Sequence, residues 1–189
     1  MSQQELLKKV VSVLDTLGVD YMLTGSLVSS LQGEPRATHD IDLVVDFDLD
    51  HFRGLVRSFP PPDYHVSESA ATDAIRRETM FNLIDTQGGD KVDFWILRRN
   101  DPFDRSRFSR RRRQDLLAFA VYVSSPEDTI LMKLRWAKMS GGSVKQLTDA
   151  IRIFEVQQAQ LDFHYIEQWV SSLALGHEWQ ELLAQSNPL

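Results

Sequence analysis

Residues 23–45 read LTGSLVSSLQGEPRATHDIDLVV, and the two ends of this stretch decide the fold. At its far end Ile41, Leu43 and Val45 alternate with Asp40, Asp42 and Val44, which is strand periodicity. Side chains at i and i+2 of a strand share a face, roughly 6.5–7 Å apart. Asp40 and Asp42 therefore project side by side, while Ile41 points the other way into a core. Two parallel carboxylates repel unless a cation or a proton lies between them. Hard divalent cations such as Mg²⁺ favour such oxygen ligands; the plainer alternative is that both carboxylates are solvated on an exposed sheet face. At the near end, Val19 to Thr24 is short, apolar and bounded by Gly25, so it reads as a strand. Ser26 to Gln32 reads as a short helix stopped by Gly33. Glycine permits close backbone approach, and the start of a helix offers unpaired N–H groups that suit a phosphate. Gly25-Ser26 alone could equally be a turn with Ser26 capping the helix.

Upstream, Ser2 with Glu5 forms a capping-box pattern. Leu6, Leu7, Val10, Val11, Leu14 and Leu17 recur at helical spacing up to Gly18. Downstream, helices are expected over 48–58, ending at Pro60-Pro61-Pro62, and over 67–77. Met80 to Ile84 and Lys91 to Leu97 read as paired strands across a turn at Gln87-Gly88-Gly89-Asp90. In the second strand Val92, Phe94 and Ile96 share one face, and Asp93 and Trp95 the other. A carboxylate within such an apolar run needs a partner or a metal, unless Asp93 faces water from an edge strand. Arg98 to Arg113 is polar and basic and reads as a loop or mobile excursion. Ala118 to Val123 is a further short strand. Ser125-Pro126-Glu127-Asp128 is a helix start with Ser as N-cap and Pro at the first helical position. Helices follow near 126–139, 144–157, 162–174 and 177–185, with breaks at Gly141-Gly142, near Leu161 and at Gly176. The order predicts an α+β amino-terminal domain over 1–124, with a small mixed sheet flanked by helices, and a helical carboxy-terminal region over 125–189.

Composition narrows the function classes. The chain has no cysteine, which excludes disulfides, thiolate metal sites and cysteine nucleophiles and fits a cytoplasmic protein. No apolar run reaches the ~18 residues of a membrane span, and Met1-Ser2-Gln3-Gln4-Glu5 lacks the layout of a signal peptide. The net charge of −6 argues against a general nucleic-acid binder.

Leu23-Thr24-Gly25-Ser26, then thirteen residues, then Asp40-Ile41-Asp42, then Asp93 on a later strand, resembles the DNA polymerase β-type nucleotidyltransferase superfamily. The approach Arg36-Ala37-Thr38-His39 looks like that of its small prokaryotic members. Ser125-Pro126-Glu127-Asp128 running into Lys133-Leu134 resembles the helical continuation of minimal uncharacterised and abortive-infection toxin-type members. Asp149 matches their later acidic position more loosely, because Thr148 stands where an Arg usually precedes it. The resemblance implies a nucleotidyltransferase fold and a Mg²⁺- or Mn²⁺-dependent transfer of a nucleoside monophosphate from an NTP, ATP included, to an acceptor hydroxyl on RNA, protein or a small molecule. It implies that Asp40, Asp42 and Asp93 hold the metal, with Asp93 favouring deprotonation of the acceptor. It also implies that Gly25 and Ser26 hold the β and γ phosphates, and that Lys133 contacts the triphosphate or the substrate; a surface lysine with its stem on apolar neighbours is the plain alternative.

Eight arginines crowd the segment from Arg98 to Arg113, with Phe103 and Phe108 interleaved. Arginine binds phosphate bidentately and stacks on bases, so the segment is a candidate contact for RNA, tRNA included, or for the nucleotide. The alternative is a solvated loop paired to Asp101, Asp104, Asp115 and the acidic remainder. His39 points away from the Asp pair by alternation, and the other histidines lack metal-ligand spacing. Trp136, Trp169 and Trp179 read as helix packing. Two other function classes compete with an enzyme: a non-catalytic nucleotide sensor or antitoxin-type module on the same fold, and an interaction protein that docks a partner through its last helices.

Overall fold

A computed structural model describes residues 2–35, 37–116 and 119–187. Arg36, in the approach to the Asp pair, and Ala118, the expected first residue of a strand, lie outside the described residues. The chain clusters into two compact units, one of residues 1–27 and 38–123, the other of residues 28–37 and 124–189. Residues 28–37 thus cluster with the helical end of the chain rather than with their neighbours in sequence. Among the described residues no helix is long and apolar enough to cross a membrane.

The first unit is α+β. Helix α1 spans Gln3–Thr16 and carries the capping box: Ser2 Oγ accepts from the Glu5 N–H, and the Ser2 N–H donates to Glu5. Strand β1 (Tyr21–Thr24) leads into helix α2, which runs Gly25–Gln32 across both units. Strand β2 is Asp40–Val45, and helix α3 is Leu49–Ser58. Asp48 caps α3, and His51 returns an acceptor to the Asp48 N–H. A two-residue strand β3 (Tyr64–His65) precedes α4 (Glu68–Arg77), β4 (Met80–Asp85) and β5 (Lys91–Ile96). Then come α5 (Pro102–Ser109), β6 (Arg112–Leu116) and β7 (Phe119–Val123). Among the described residues seven strands form one mixed sheet, in the order β3-β4-β5-β2-β1-β7-β6.

The pleat divides the sheet into two faces. Leu23, Leu43, Phe94 and Phe81 share one row, since Leu23 pairs with Leu43, Leu43 with Phe94, and Phe94 with Phe81. Phe81 and Phe94 stack with centroids 5.0 Å apart, and Phe52 of α3 meets Phe81 edge-on at 5.7 Å, so α3 covers this face. Such pairs add about 0.5–1.5 kcal/mol each beyond their area burial. On the opposite face Met22, Val44 and Leu97 pack with Phe108 of α5 and with Trp95.

The expected loop over 98–113 is therefore corrected: it holds a two-turn helix and an edge strand. Asp101 caps α5 through bonds from the Phe103 and Asp104 N–H groups, and Pro102 takes the first helical position. Phe103 and Phe108 are buried, which removes them as stacking faces. The buried Asp104 accepts from both Arg98 and Arg107. Burial pushes its carboxyl up, but Arg107 and Arg98 overcome this and hold it below the usual carboxylate range. Arg99 pairs with Asp46, and Arg111 with Asp20. Strand β6 escapes sequence periodicity because Arg112 to Asp115 are all exposed; its backbone pairing with β7 makes it a strand.

The second unit is built from α6 (Pro126–Met139), α7 (Val144–Gln157), a 3₁₀ turn at Gln158–Gln160, α8 (Phe163–Ser172) and α9 (Gly176–Gln185). Gly176, expected as a break, is the first residue of α9. Ser125 caps α6 through the Asp128 N–H, and its hydroxyl donates to Asp128 Oδ2, whose other oxygen accepts from the Tyr165 hydroxyl at 2.7 Å. Trp179 is buried and meets Phe154 edge-on, whereas Trp136 is 36% exposed.

Candidate functional site

Four central strands bring the site together by register. Thr24 of β1 pairs with Asp42 of β2, Asp42 with Asp93 of β5, and Asp93 with Asn82 of β4. Residues opposite one another in a sheet point to the same face, so these four side chains form one polar row. One row further along the same face, Asp40 pairs with Lys91. On the other side of the polar row lie Val44 and Trp95, the apolar patch that Phe108 covers. The sheet face is thus half apolar, beneath α5, and half carboxylate.

Gly25 follows Thr24 and opens α2 with φ +71°, a left-handed conformation that favours glycine. A Cβ there would fall 2.0 Å from Asp42 Oδ2. The missing side chain is what lets Asp42 lie against the start of the helix. Ser26, next in line, is half-buried. Of the residues singled out from sequence, Asp40, Asp42 and Asp93 thus share one face of the sheet, and Gly25 and Ser26 open the helix that follows Thr24.

Each carboxylate has its own environment. Asp93 is nearly buried; its Oδ1 accepts from Asn82 Nδ2 at 2.9 Å, and its Oδ2 lies 3.0 Å from Lys91 Nζ. Asp42 Oδ1 accepts from the Trp95 indole N–H at 3.2 Å. Asp40 is more than half exposed, 3.6 Å from Lys91 Nζ. The hydrogen bond to Asp93, with the charges of Asp93 and Asp40, raises the Lys91 ammonium above its ordinary range and keeps it charged.

Three oxygen donors of this kind suit a hard divalent cation, and the absence of a Cβ on Gly25 leaves Asp42 its place in the row. Among the described residues, however, no three carboxylates or imidazoles are drawn together as a metal cluster. The cation that the structure does place there is the Lys91 ammonium, within reach of both Asp93 and Asp40. Lys133 belongs to the second unit, where it is buried and paired with Asp149 at 2.7 Å. Three residues of the site were not singled out from sequence: Lys91, Asn82 and Trp95. Lys91 and Trp95 share the parity of Asp93 along β5, a signal that was available. Asn82 requires the register of β4 against β5.

No family model matches the chain, and no curated protein matches it. Solved structures do. An antigenic nucleotidyltransferase-like protein from Paracoccidioides brasiliensis is 19% identical, covers 100% of this chain and 96% of its own, and superposes with a TM-score of 0.54. The antibiotic-resistance factor ANT(2'')-Ia is 15% identical over 95% of both chains, with a TM-score of 0.60. The lincosamide antibiotic adenylyltransferase LnuA, bound to lincomycin, is 13% identical over 82% of this chain and 98% of its own, with a TM-score of 0.55. At these identities the likeness is one of architecture: the chain has the nucleotidyltransferase fold.

Proposed function

We propose that this protein moves a nucleoside monophosphate from an NTP to an acceptor hydroxyl, using a divalent cation, Mg²⁺ or Mn²⁺, held by Asp42, Asp93 and Asp40. The observation that carries the reading is the row Thr24–Asp42–Asp93–Asn82 set against a glycine whose Cβ would collide with Asp42. When bound, the cation supplies charge neutralisation at the triphosphate and the leaving pyrophosphate. Gly25 and Ser26 offer backbone N–H groups and a hydroxyl to the β and γ phosphates. The acceptor oxygen bonds to the α-phosphorus as the bond to the pyrophosphate oxygen breaks. Asp93, steadied at Oδ1 by Asn82, would hold the cation through Oδ2 and so favour loss of the acceptor's proton, which passes to solvent.

A small hydroxylated molecule is the favoured acceptor. Two observations support this: the ion-pairing of Arg98, Arg99, Arg107 and Arg111 within the protein, and a fold neighbour solved with adenylyl-2''-tobramycin. Exposed Arg105, Arg112 and Arg113 keep an RNA acceptor as an outcome of the test.

Lys91, standing between two of the carboxylates, favours a second reading, a nucleotide-binding sensor or antitoxin-type module that transfers nothing. Incubation with each α-³²P-NTP, Mg²⁺ or Mn²⁺, and separate pools of RNA, protein and hydroxylated small molecules decides between them. Label incorporated by wild type and lost in the Asp40→Ala, Asp42→Ala double variant establishes transfer, and the labelled pool identifies the acceptor. Metal-dependent NTP binding without incorporation establishes the sensor. Neither binding nor transfer overturns both.

A further inference from the structure

We propose that Lys91 is a tethered counter-ion, a side chain that keeps the carboxylate site stable without metal and must be displaced for a divalent cation to enter. This rests on Asp40, Asp42 and Asp93 being the metal ligands. Lys91 opens β5 directly opposite Asp40 and two residues before Asp93, so all three share one sheet face. Its ammonium reaches Asp93 Oδ2 at 3.0 Å and Asp40 Oδ1 at 3.6 Å.

Asp93 shows why a cation is needed there. Its side chain is 9% exposed, and a buried carboxylate without compensation is costly. Asn82 satisfies Oδ1 with a neutral donor; Lys91 supplies the positive charge at Oδ2. A third carboxylate, Asp42, is in register with Asp93 on the adjoining strand, so removing Lys91 leaves like charges facing one another.

The same contact opposes a metal. An incoming dication needs Asp93 Oδ2, the oxygen Lys91 holds, and an ammonium within 3.0 Å of it repels the dication directly. The lysine can yield: its side chain is 35% exposed at the end of a strand, on a flexible four-carbon stem. Exchange of Lys91 for the metal replaces one positive charge by two, and frees the ammonium for an anion arriving with the metal.

The test is a Mn²⁺ titration by calorimetry, without nucleotide, paired with thermal melts. Wild type is compared with Lys91→Met, with Lys91→Arg, and with Lys8→Met, which removes the same charge from an exposed site on α1. Lys91→Met binds Mn²⁺ tighter than wild type by on the order of tenfold or more, and Lys91→Arg does not. Lys91→Met melts lower than wild type in chelator and regains the loss with Mn²⁺. If Lys91→Met does not fold without metal, its recovery by Mn²⁺ alone supports the same conclusion. Equal affinities in Lys91→Met, Lys8→Met and wild type overturn the role of Lys91 while leaving the metal site intact. Mn²⁺ binding by none of them overturns the metal site and this inference together.

Discussion

Gly25 and Asp42 are neighbours that tolerate no atom between them: a Cβ on Gly25 would lie 2.0 Å from Asp42 Oδ2 and 2.8 Å from its Cβ. Gly25→Ala therefore meets two costs, a left-handed φ worth roughly 1–2 kcal/mol and a collision with a side chain fixed on a central strand. Urea unfolding should show a loss of about 2 kcal/mol or more, and NTP binding should fall with it as Asp42 is pushed from the row. Retention of both by Gly25→Ala would mean that the helix start has freedom the geometry denies it.

Trp95 donates its indole N–H to Asp42 Oδ1 at 3.2 Å, which orients a proposed metal ligand. Partners of this kind typically tune metal affinity by 10–100-fold. Trp95→Phe keeps the ring in the patch with Met22, Val44 and Phe108 but removes the donor, so Mn²⁺ affinity should drop about tenfold with a smaller effect on melting. The indole is also a reporter. Mn²⁺ should quench wild-type tryptophan emission and leave Trp95→Phe nearly unquenched; equal quenching in both would place the metal elsewhere.

The same sequence signal was read once and missed once. Ser125-Pro126, an N-cap followed by proline, announced α6, and Asp101-Pro102 is the same signal for α5. It was hidden because the arginines around it spoil the apolar periodicity that confirms a helix. What folds α5 is tertiary: Asp104 joined to Arg98 and Arg107, and two phenylalanines buried away from the solvent that the arginines face. The site divides along a similar line. Period-two alternation within β2 placed Asp40 and Asp42 on one face, and within β5 it placed Asp93. That Asp42 and Asp93 are opposite one another, with Asn82 beyond, depends on strand pairings that no single segment encodes. Lys91 escaped because a lysine at a strand end reads as solvent-facing; only its register with Asp40 makes it a partner.

Asp104 gives the fold an acid-sensitive joint. Its folded carboxyl is held below the ordinary range by Arg107 and Arg98 against the opposing effect of burial. A depressed folded value means the unfolded chain takes up this proton first, near pH ~3.9. The stabilisation is therefore fully present above that pH and is lost as pH falls through the lower folded value. Asp104→Asn should cost about 3–5 kcal/mol at pH 7, because it strands the buried Arg107 charge. Urea unfolding at pH 7 and pH 3 should show the gap between variant and wild type shrinking in acid. A gap that stays constant would assign the effect to packing rather than charge.

Lys133 and Asp149 carry the last prediction, because their ion pair separates a structural role from a functional one. Both side chains are buried and 2.7 Å apart, joining α6 to α7. Asp149 also lines a cavity of about 140 Å³ with Ser29, Glu34, Thr148 and Arg152. Lys133→Met leaves a carboxylate without its ammonium and should cost about 3–5 kcal/mol. Joined to Asp149→Leu, the loss should largely reverse, since apolar residues of similar volume replace a buried pair at little or no cost. Unfolding in urea measures both variants, and an NTP titration of the stable double variant then reports on function alone. Wild-type NTP affinity in a restored double variant makes the pair a fold element. Restored stability with NTP binding lost assigns Lys133 to the triphosphate, the role that the resemblance implies for it.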